Sequence, residues 1–305
     1  MTSMLSIIPT RYRPRVRSMV KGLRNELSGH YAVPLAAPVG YCYIRKNACS
    51  AWKQLFVQES PHGYVPADWE RDIDFMAAKH GLRTLDEVEQ CERRVVVLRD
   101  PVDRYISAFV NLIVMNARST RLKRKLSRRM HGGDVASISF DELLDEQLPR
   151  PGTRRNALNK HFWPQTWHLA PTVYTDVIDI HHLAAAMKRL IGEEKGSRYF
   201  DRPVNATTAA AYEDDAAPSL SAKVLIERYQ SIGSLPGKAS FMRGGRAERI
   251  KEAYAEDAAL YAACVAHAKT HPAAGFELRF DPAPPHHGRM PRRRRKGRPP
   301  PTRTA

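Results

Sequence analysis

Cysteine is scarce in this chain of 305 residues, which contains only four of them. They are Cys42, Cys49, Cys91 and Cys264, and no two have the C-x-x-C spacing of zinc or redox motifs. A disulfide-rich secreted scaffold is therefore excluded, and four reduced thiols are expected.

Long apolar runs are also missing. No stretch approaches the 18 or so uninterrupted apolar residues of a membrane-spanning helix, although a peripheral contact with a membrane is still compatible with the sequence. Residues 1–35 contain an Arg- and Pro-rich stretch but no apolar core followed by a cleavage site, so no secretory signal is expected.

Acidic residues are fewer than basic ones, with 32 Asp and Glu against 49 Lys and Arg, a net charge of +17. Residues 281–305 contain eight Lys or Arg and one Asp, which predicts a disordered basic tail. A second basic run, 118–129, contains seven Lys or Arg and no acid; a solvated helix face is the alternative to a contact with an anionic ligand. The rest of the chain remains basic, which favours anionic ligands.

The glycine pattern of a Walker A motif is absent, yet segments typical of strands and helices alternate. Apolar runs at 39–44, 94–98 and 172–174 predict strands, and each precedes a stretch with helical periodicity. A long Ala-rich helix is predicted over 247–269. The expected fold is α/β, with a P-loop-like central parallel sheet flanked by helices and with helical insertions.

A first polar elbow follows the strand at 39–44 and leads into a helix. It combines Lys46 with small residues and with Ser50. Free backbone N–H groups at a helix N-terminus, a mobile positive charge and a hydroxyl donor together suit an anion. An exposed lysine beside an ordinary helix cap is the alternative.

A second polar elbow follows the strand at 94–98. Arg99 stands at the strand end, Asp100 and Pro101 are typical of an N-cap and a first helical turn, and Ser107 lies two turns further on. Arg99 can bind a phosphate bidentately. The alternative is a local ion pair between Asp100 and Arg104.

Together the two elbows resemble the carbohydrate sulfotransferases, especially the branch of the chondroitin and HNK-1 sulfotransferases. That family has a Lys-containing loop after its first strand and an Arg-Asp-Pro-x-x-Arg-x-x-Ser element after a later strand. His161-Phe-Trp-Pro-Gln165 and Tyr254-x-x-Asp257-x-x-Leu-Tyr261 are similar to two further family segments. The resemblance covers roughly residues 39–263.

The resemblance implies transfer of a sulfuryl group from 3'-phosphoadenosine 5'-phosphosulfate (PAPS) to a carbohydrate hydroxyl, without a metal ion. Lys46 would contact the 5'-phosphosulfate and the leaving oxygen, while Arg99 and Ser107 would hold the 3'-phosphate. The remaining residues expected to bind the donor, largely through their backbone, are Asn47, Ala48, Cys49, Ser50 and Ala51.

A general base must accept the proton of the acceptor hydroxyl. His80 is the expected base, because it precedes a Leu-Arg-Thr-Leu stretch similar to a family segment, and His62 is the alternative. A surface histidine is the competing interpretation for both. His161, Trp163 and Gln165 could touch acceptor or nucleotide, and the family-like Asn205 has no assigned role.

The expected domains are an N-terminal extension (1–35), a sulfotransferase domain (36–280) and the basic tail (281–305). The carbohydrate acceptor, which the positive charge allows to be anionic, is the expected partner; no specific nucleic acid is expected, and the oligomeric state is open. Because no N-terminal anchor is seen, a cytoplasmic and bacterial enzyme is expected. The alternatives are a polyanion-binding protein without activity and a kinase with a degenerate phosphate loop, for which Asp100 would be the metal-binding carboxylate.

Overall fold

The computed structural model describes residues 26–32, 39–115, 135–150, 153, 158–202 and 210–281. The basic run 118–129, Asn205 and residues 282–305 lie outside these ranges. The strands within them are β1 Glu26–Ala32, β2 Val39–Cys42, β3 Gly81–Thr84, β4 Arg93–Leu98, β5 Val173–Asp179, β6 Ala210–Tyr212, β7 Ser234–Pro236 and β8 Phe276–Arg279.

Six of these strands form one mixed sheet in the order β3–β1–β2–β4–β5–β8, and β6 and β7 pair separately. β2, β4 and β5 are parallel neighbours at its centre, with Tyr41 opposite Val95 and Val96 opposite Val177. β1 and β8 run antiparallel to their neighbours. Since the carboxyl ends of parallel strands meet at one edge, the loops that follow β2 and β4 are brought side by side.

Helices cover the sheet, as the alternation of strand and helix predicted. They are α1 Cys49–Gln58, α2 Asp72–Lys79, α3 Leu85–Glu89, α4 Pro101–Phe109, α5 Phe140–Gln147, α6 Leu183–Ile191, α7 Glu193–Phe200, α8 Ala222–Ile232, α9 Lys238–Met242, α10 Arg246–Ala253 and α11 Ala255–Thr270. A π-helical turn, Val110–Met115, continues α4, and a 3₁₀ turn spans Gln165–His168. None of the helices described is long and apolar enough to cross a membrane.

The alternation of side chains along β4 explains why the central sheet is buried on both faces. Val95 and Val97 belong to the core formed with α1 and α6, which includes Trp52 and Met187. Val96 and Leu98 belong to the core on the opposite face, which includes Tyr174 and Cys264. A strand that is covered on both sides has a continuous run of apolar residues, and β4 was predicted from such a run.

The structure departs from the sequence-based expectations in two places. The segment Glu26–Ala32, assigned to an N-terminal extension, forms β1 and pairs with β2. The single long helix predicted over 247–269 is two helices, because the backbone leaves the helical region at Tyr254 (φ −113°, ψ 38°). The hydroxyl of Tyr254 donates to Phe162 O at 2.7 Å, which ties this break to the loop before the 3₁₀ turn.

Candidate active site

The first elbow connects β2 to α1 through a strained loop. The Tyr41 ring stacks on Trp52 at 3.9 Å between centroids, which clamps α1 against the end of β2. The chain reverses between them with left-handed backbone at Lys46 (φ 71°) and Ala48 (φ 55°). Such a conformation costs a residue other than glycine roughly 1–2 kcal/mol, and successive N–H groups in this kind of turn form an anion-binding concavity.

The backbone N–H groups of this loop fall into two sets. Asn47 N donates to Ile44 O at 3.3 Å and Ala51 N donates to Ala48 O at 3.0 Å, so these two close the loop itself. The N–H groups of Lys46, Ala48 and Cys49 make no hydrogen bond within the described residues. The donors left for a ligand are therefore at the strained positions and at the first residue of α1.

The second elbow places two arginines against the first. Asp100 is the N-cap of α4, and its Oδ1 accepts from Val102 N at 2.8 Å and Asp103 N at 3.0 Å, which confirms the predicted cap. Arg99 Nη1 donates to Lys46 O at 3.2 Å. Arg104 does not form the alternative ion pair with Asp100: its guanidinium is 2% exposed, and Nε donates to Arg45 O at 3.1 Å.

Gln165 joins the two elbows. Its Oε1 accepts from Asn47 Nδ2 at 2.6 Å and from Arg99 N at 3.1 Å, and its Nε2 donates to Arg99 O at 2.9 Å. Asn47 Nδ2 also donates to Val97 O at 2.7 Å, so the Asn47 side chain points into the protein. This network fixes the separation between the Lys46 loop and the start of α4.

Asp257, in the first turn of α11, holds the turn that carries Gln165. Its carboxylate accepts from Gln165 N at 2.6 Å and from Thr166 N at 3.0 Å, and the residue is only 1% exposed. Burial raises the pKa of Asp257, while the charge of Arg104 and the two backbone donors act against that rise. The charge of Asp257 acts on Arg104 and opposes the fall in its pKa, although the two side chains form no salt bridge.

The loop side of the two elbows carries a concentration of positive charge. Burial, together with the charges of Arg99, Arg104 and Lys53, lowers the pKa of Lys46 to about 8, against an opposing effect of Cys49. Burial also lowers the pKa values of Arg99 and Arg104. Lys46 forms no salt bridge or side-chain hydrogen bond with the described residues. Half-buried like charges without a partner are unfavourable unless an anion binds between them.

Buried polar atoms without a partner point to the same conclusion. Arg45 Nη1 and Arg104 Nη2 are buried and have no hydrogen-bond partner among the residues described. Each guanidinium has five donors, and leaving one buried and unused costs about 1–3 kcal/mol. A multiply charged anion between the elbows would use these donors.

His161 lies at this cluster. Burial holds the pKa of His161 well below its ordinary value, and the positive charges of Arg45, Lys46 and Arg104 act in the same direction. Asn159 Oδ1 accepts from His161 N at 3.0 Å and lies 2.8 Å from His161 Nδ1. The residue itself is only half-buried, so the ring stays accessible from one side.

His80, the base expected from the sequence, lies in a different group of side chains. It is 7% exposed, ends α2, and its Nε2 is 2.9 Å from Ser60 Oγ. Its ring packs edge-on against Phe56, Phe75 and His62, with centroids 5.1, 5.5 and 5.3 Å away. His62, the alternative base, is exposed. Neither role is decided by these contacts, and both stay predictions.

The structure brings together Lys46, Asn47 and Arg99, three of the residues selected from the sequence. Cys49, Ser50 and Ala51 form the first turn of α1 at the same edge. Ser107 is half-buried on α4, three residues after Arg104 and hence on a neighbouring position of the same helical face. Its hydroxyl makes no hydrogen bond with the described part of the chain.

Sequence reasoning missed Arg45, Arg104 and Asp257 as parts of the site. Arg104 stands within the Arg-Asp-Pro-x-x-Arg element and Asp257 within the Tyr254-x-x-Asp257 segment, so a signal was present for both. Arg45 carried none, because its neighbour Lys46 explained the local charge.

A separate cleft of about 570 Å³ lies on the other side of the Gln165 turn. Thr166, Trp167, Arg249 and Glu252 are among its lining residues, and no residue of the cationic cluster lines it. The cleft borders the site at Asp257, which lines it, but it does not contain the cationic cluster. Within the described ranges, no group of three or more His, Cys, Asp and Glu side chains is arranged to hold a metal ion.

Comparison with known proteins assigns the class. The sequence profile described as Sulfotransferase family matches residues 30–195, more than half of the chain. The chain belongs to this family. Its class, the sulfotransferases, is the enzyme class that the sequence predicted. The matched region contains both elbows and the Gln165 turn.

The relative identified is carbohydrate sulfotransferase 11 of Danio rerio, which is 26% identical over 186 residues. The match covers 52% of this chain and 52% of the relative, so the chain spans about half the length of the curated protein that it matches. No solved structure matches the chain.

The expected cytoplasmic and bacterial location is wrong. The matched relative is an animal protein, and the animal members of the family that the sequence resembles are Golgi enzymes. That expectation rested on the composition of residues 1–35, which does not outweigh this match.

Proposed function

We propose that this protein is a PAPS-dependent sulfotransferase that transfers a sulfuryl group to a hydroxyl of a carbohydrate. The observation that carries the proposal is the group of positive charges at the carboxyl ends of β2 and β4, formed by the half-buried Lys46 and Arg99 and the buried Arg104. Neither Lys46 nor Arg99 forms a salt bridge with the described residues. Family membership supports the reaction class, and the name of the relative, carbohydrate sulfotransferase 11, supports a carbohydrate acceptor.

The residues at the first elbow suit the 5'-phosphosulfate end of the donor. Lys46 provides a mobile charge, and the unused N–H groups of Lys46, Ala48 and Cys49 provide donors at the start of α1. This loop would bind the phosphosulfate through its backbone N–H groups, as a P-loop does. It lacks the Walker glycines, and Lys46 and Ala48 adopt the left-handed backbone conformation instead. Ser50, one residue into α1, would add its hydroxyl.

The residues at the second elbow suit the 3'-phosphate. Arg99 is anchored by one nitrogen to Lys46 O, and the rest of its fork is available for bidentate phosphate contact. Ser107 would add a hydroxyl from the same face of α4. The unpartnered Arg104 Nη2 and Arg45 Nη1 fit an anion held between the elbows.

The chemistry requires stabilisation of negative charge and removal of one proton. Lys46 and the free N–H groups are placed to stabilise charge on the oxygen that leaves with the nucleotide. A base takes the proton of the acceptor hydroxyl, for which His80 remains the sequence-based prediction. Phosphoryl transfer relies on the same combination of positioning and electrostatics.

The chemical class of the acceptor is inferred from the relative and from the positive charge of this chain. The positive charges at the site favour an anionic glycan, and the basic run 118–129 and the tail after 281 would add to the positive charge of the chain. The proposed catalytic domain keeps the predicted range 36–280, with β1 added to its sheet.

Binding of adenosine 3',5'-bisphosphate (PAP), the desulfated product, tests the proposal. Calorimetry without Mg²⁺ should show binding to the wild type and much weaker binding of ATP, which lacks the 3'-phosphate. Arg99→Ala should weaken PAP binding about 10- to 100-fold, because a charge-assisted bond is worth about 1.5–3 kcal/mol. The matched control is Arg198→Ala, an exposed arginine whose partners are Glu59 and Glu194.

Equal PAP affinity in the wild type and in Arg99→Ala would contradict the assignment of the second elbow. A folded wild type that binds no PAP but binds heparin in a salt-dependent way would replace the proposal with the polyanion-binding alternative.

A further inference from the structure

The catalytic base is the part of the proposed reaction that the sequence leaves least defined. Two histidines, His80 and His161, are compared as candidates for the base, and their surroundings differ. His80 has its Nε2 engaged with Ser60 Oγ and its ring packed among aromatic side chains. His161 lies four residues before Gln165, whose side chain is hydrogen-bonded to both elbows, and the charges of Arg45, Lys46 and Arg104 act on its ring.

The hydrogen bonds of His161 define its tautomer. Asn159 Oδ1 accepts the backbone N–H of His161, so this atom is the amide oxygen and acts as an acceptor. His161 Nδ1, 2.8 Å from the same oxygen, must therefore carry the proton. In the neutral ring, the lone pair is then on Nε2, which is the nitrogen a base needs.

We infer that His161 is the catalytic base of the proposed sulfuryl transfer, with Asn159 as the residue that positions it. This assignment rests on the proposed function. His161 Nε2 takes the proton of the acceptor hydroxyl while the acceptor oxygen bonds to sulfur. The bond from sulfur to the bridging oxygen breaks, and its electron pair stays on the 5'-phosphate of the departing PAP.

The positive charges of the cluster make the basicity of His161 depend on whether the donor is bound. Burial and the positive charges of Arg45, Lys46 and Arg104, the charged groups of the described chain that act on His161, keep the ring neutral before the donor binds. A bound donor brings several negative charges between the elbows and offsets that field. The basicity of Nε2 therefore rises when the donor is in place.

Two measurements test the role of His161, and neither requires the natural acceptor. The first is an NMR titration of the His161 ring with and without PAP, which should show the Nδ1–H tautomer and a clear rise in pKa on binding. The second is the slow release of sulfate from PAPS with water as the acceptor. His161→Asn keeps a donor near the position of Nδ1 but removes Nε2, and should lower this rate about 100-fold or more.

The controls separate catalysis from structure. His161→Asn should bind PAP within about threefold of the wild type, a change of less than about 0.7 kcal/mol. The exposed His271→Asn, at the end of α11, should leave the rate unchanged. Imidazole should restore part of the activity of His161→Ala, which a merely structural role would not allow.

The outcomes distinguish this inference from the function on which it rests. A wild type that binds no PAP would overturn the proposed function. PAP binding without a shift of the His161 titration, or a rate that falls in His80→Asn and not in His161→Asn, would overturn the assignment of His161 alone.

Discussion

Lys46→Ala is expected to lower the rate constant for sulfuryl transfer from PAPS by about 100- to 1,000-fold. The physical reason is that charge on the leaving oxygen grows in the transition state, and a single preorganised donor at such a site is worth about 3–4 kcal/mol. Lys46 is half-buried and forms no salt bridge with the described residues, so no acidic side chain neutralises its charge. Single-turnover release of PAP measures the effect separately from binding.

Lys46→Arg is the matched variant, because it keeps the charge but cannot lose its proton near neutral pH. Burial places the pKa of Lys46 at about 8, so the wild-type lysine loses its charge as the pH rises through that value. PAP affinity of the wild type should therefore be about tenfold weaker at pH 9 than at pH 7. In Lys46→Arg the affinity should stay nearly constant over that range.

Two results would count against this role for Lys46. One is a Lys46→Ala variant that transfers at the wild-type rate while binding PAP normally. The other is a wild-type affinity that does not change between pH 7 and pH 9, which would mean that Lys46 does not contact the anion.

Asp257→Ala should destabilise the fold by about 3–5 kcal/mol. The substitution removes the acceptor of two buried N–H groups, those of Gln165 and Thr166. A hydrogen bond to a charged group contributes about 1.5–3 kcal/mol, and a buried donor left unsatisfied costs about 1–3 kcal/mol. The free energy of unfolding, obtained from urea denaturation, measures it directly.

The neighbouring Glu256→Ala is the control for Asp257→Ala. Glu256 Oε2 lies 3.4 Å from Thr166 Oγ1, a long contact at the surface, so its loss should change the stability by less than about 1 kcal/mol. Similar unfolding midpoints for the two variants would show that Asp257 does not hold the turn of Gln165. If Asp257→Ala is too unstable to purify, Asp257→Asn, which retains one oxygen, should give an intermediate loss.

The two elbows were predictable because each follows from local rules. A continuous run of Val95 to Leu98 indicates a strand buried on both faces, and Asp100-Pro101 indicates the start of a helix. The parallel arrangement then places the loops of Lys46 and Arg99 at one edge, as the register of β2 with β4 confirms.

The antiparallel strands β1, β3 and β8 and the break at Tyr254 were not predictable in the same way. β1 lies in a segment of mixed polarity, and its pairing with β2 depends on the sheet rather than on its own pattern. The helical propensity of residues 247–269 is continuous, and the break is tied to tertiary contacts that Tyr254 and Asp257 make with the loop at 162–166.

The sequence by itself determined the class of this protein, because strand ends, caps and the spacing of Lys46, Arg99 and Ser107 are local features. Only the tertiary structure decided what surrounds each charge. Gln165 joins the elbows across more than 60 residues of chain, and the charges of Arg45 and Arg104 act on His161 only after Arg104 of α4 is bound to the loop that follows β2. Electrostatic fields and desolvation act through space, so they depend on the folded arrangement rather than on separation along the chain.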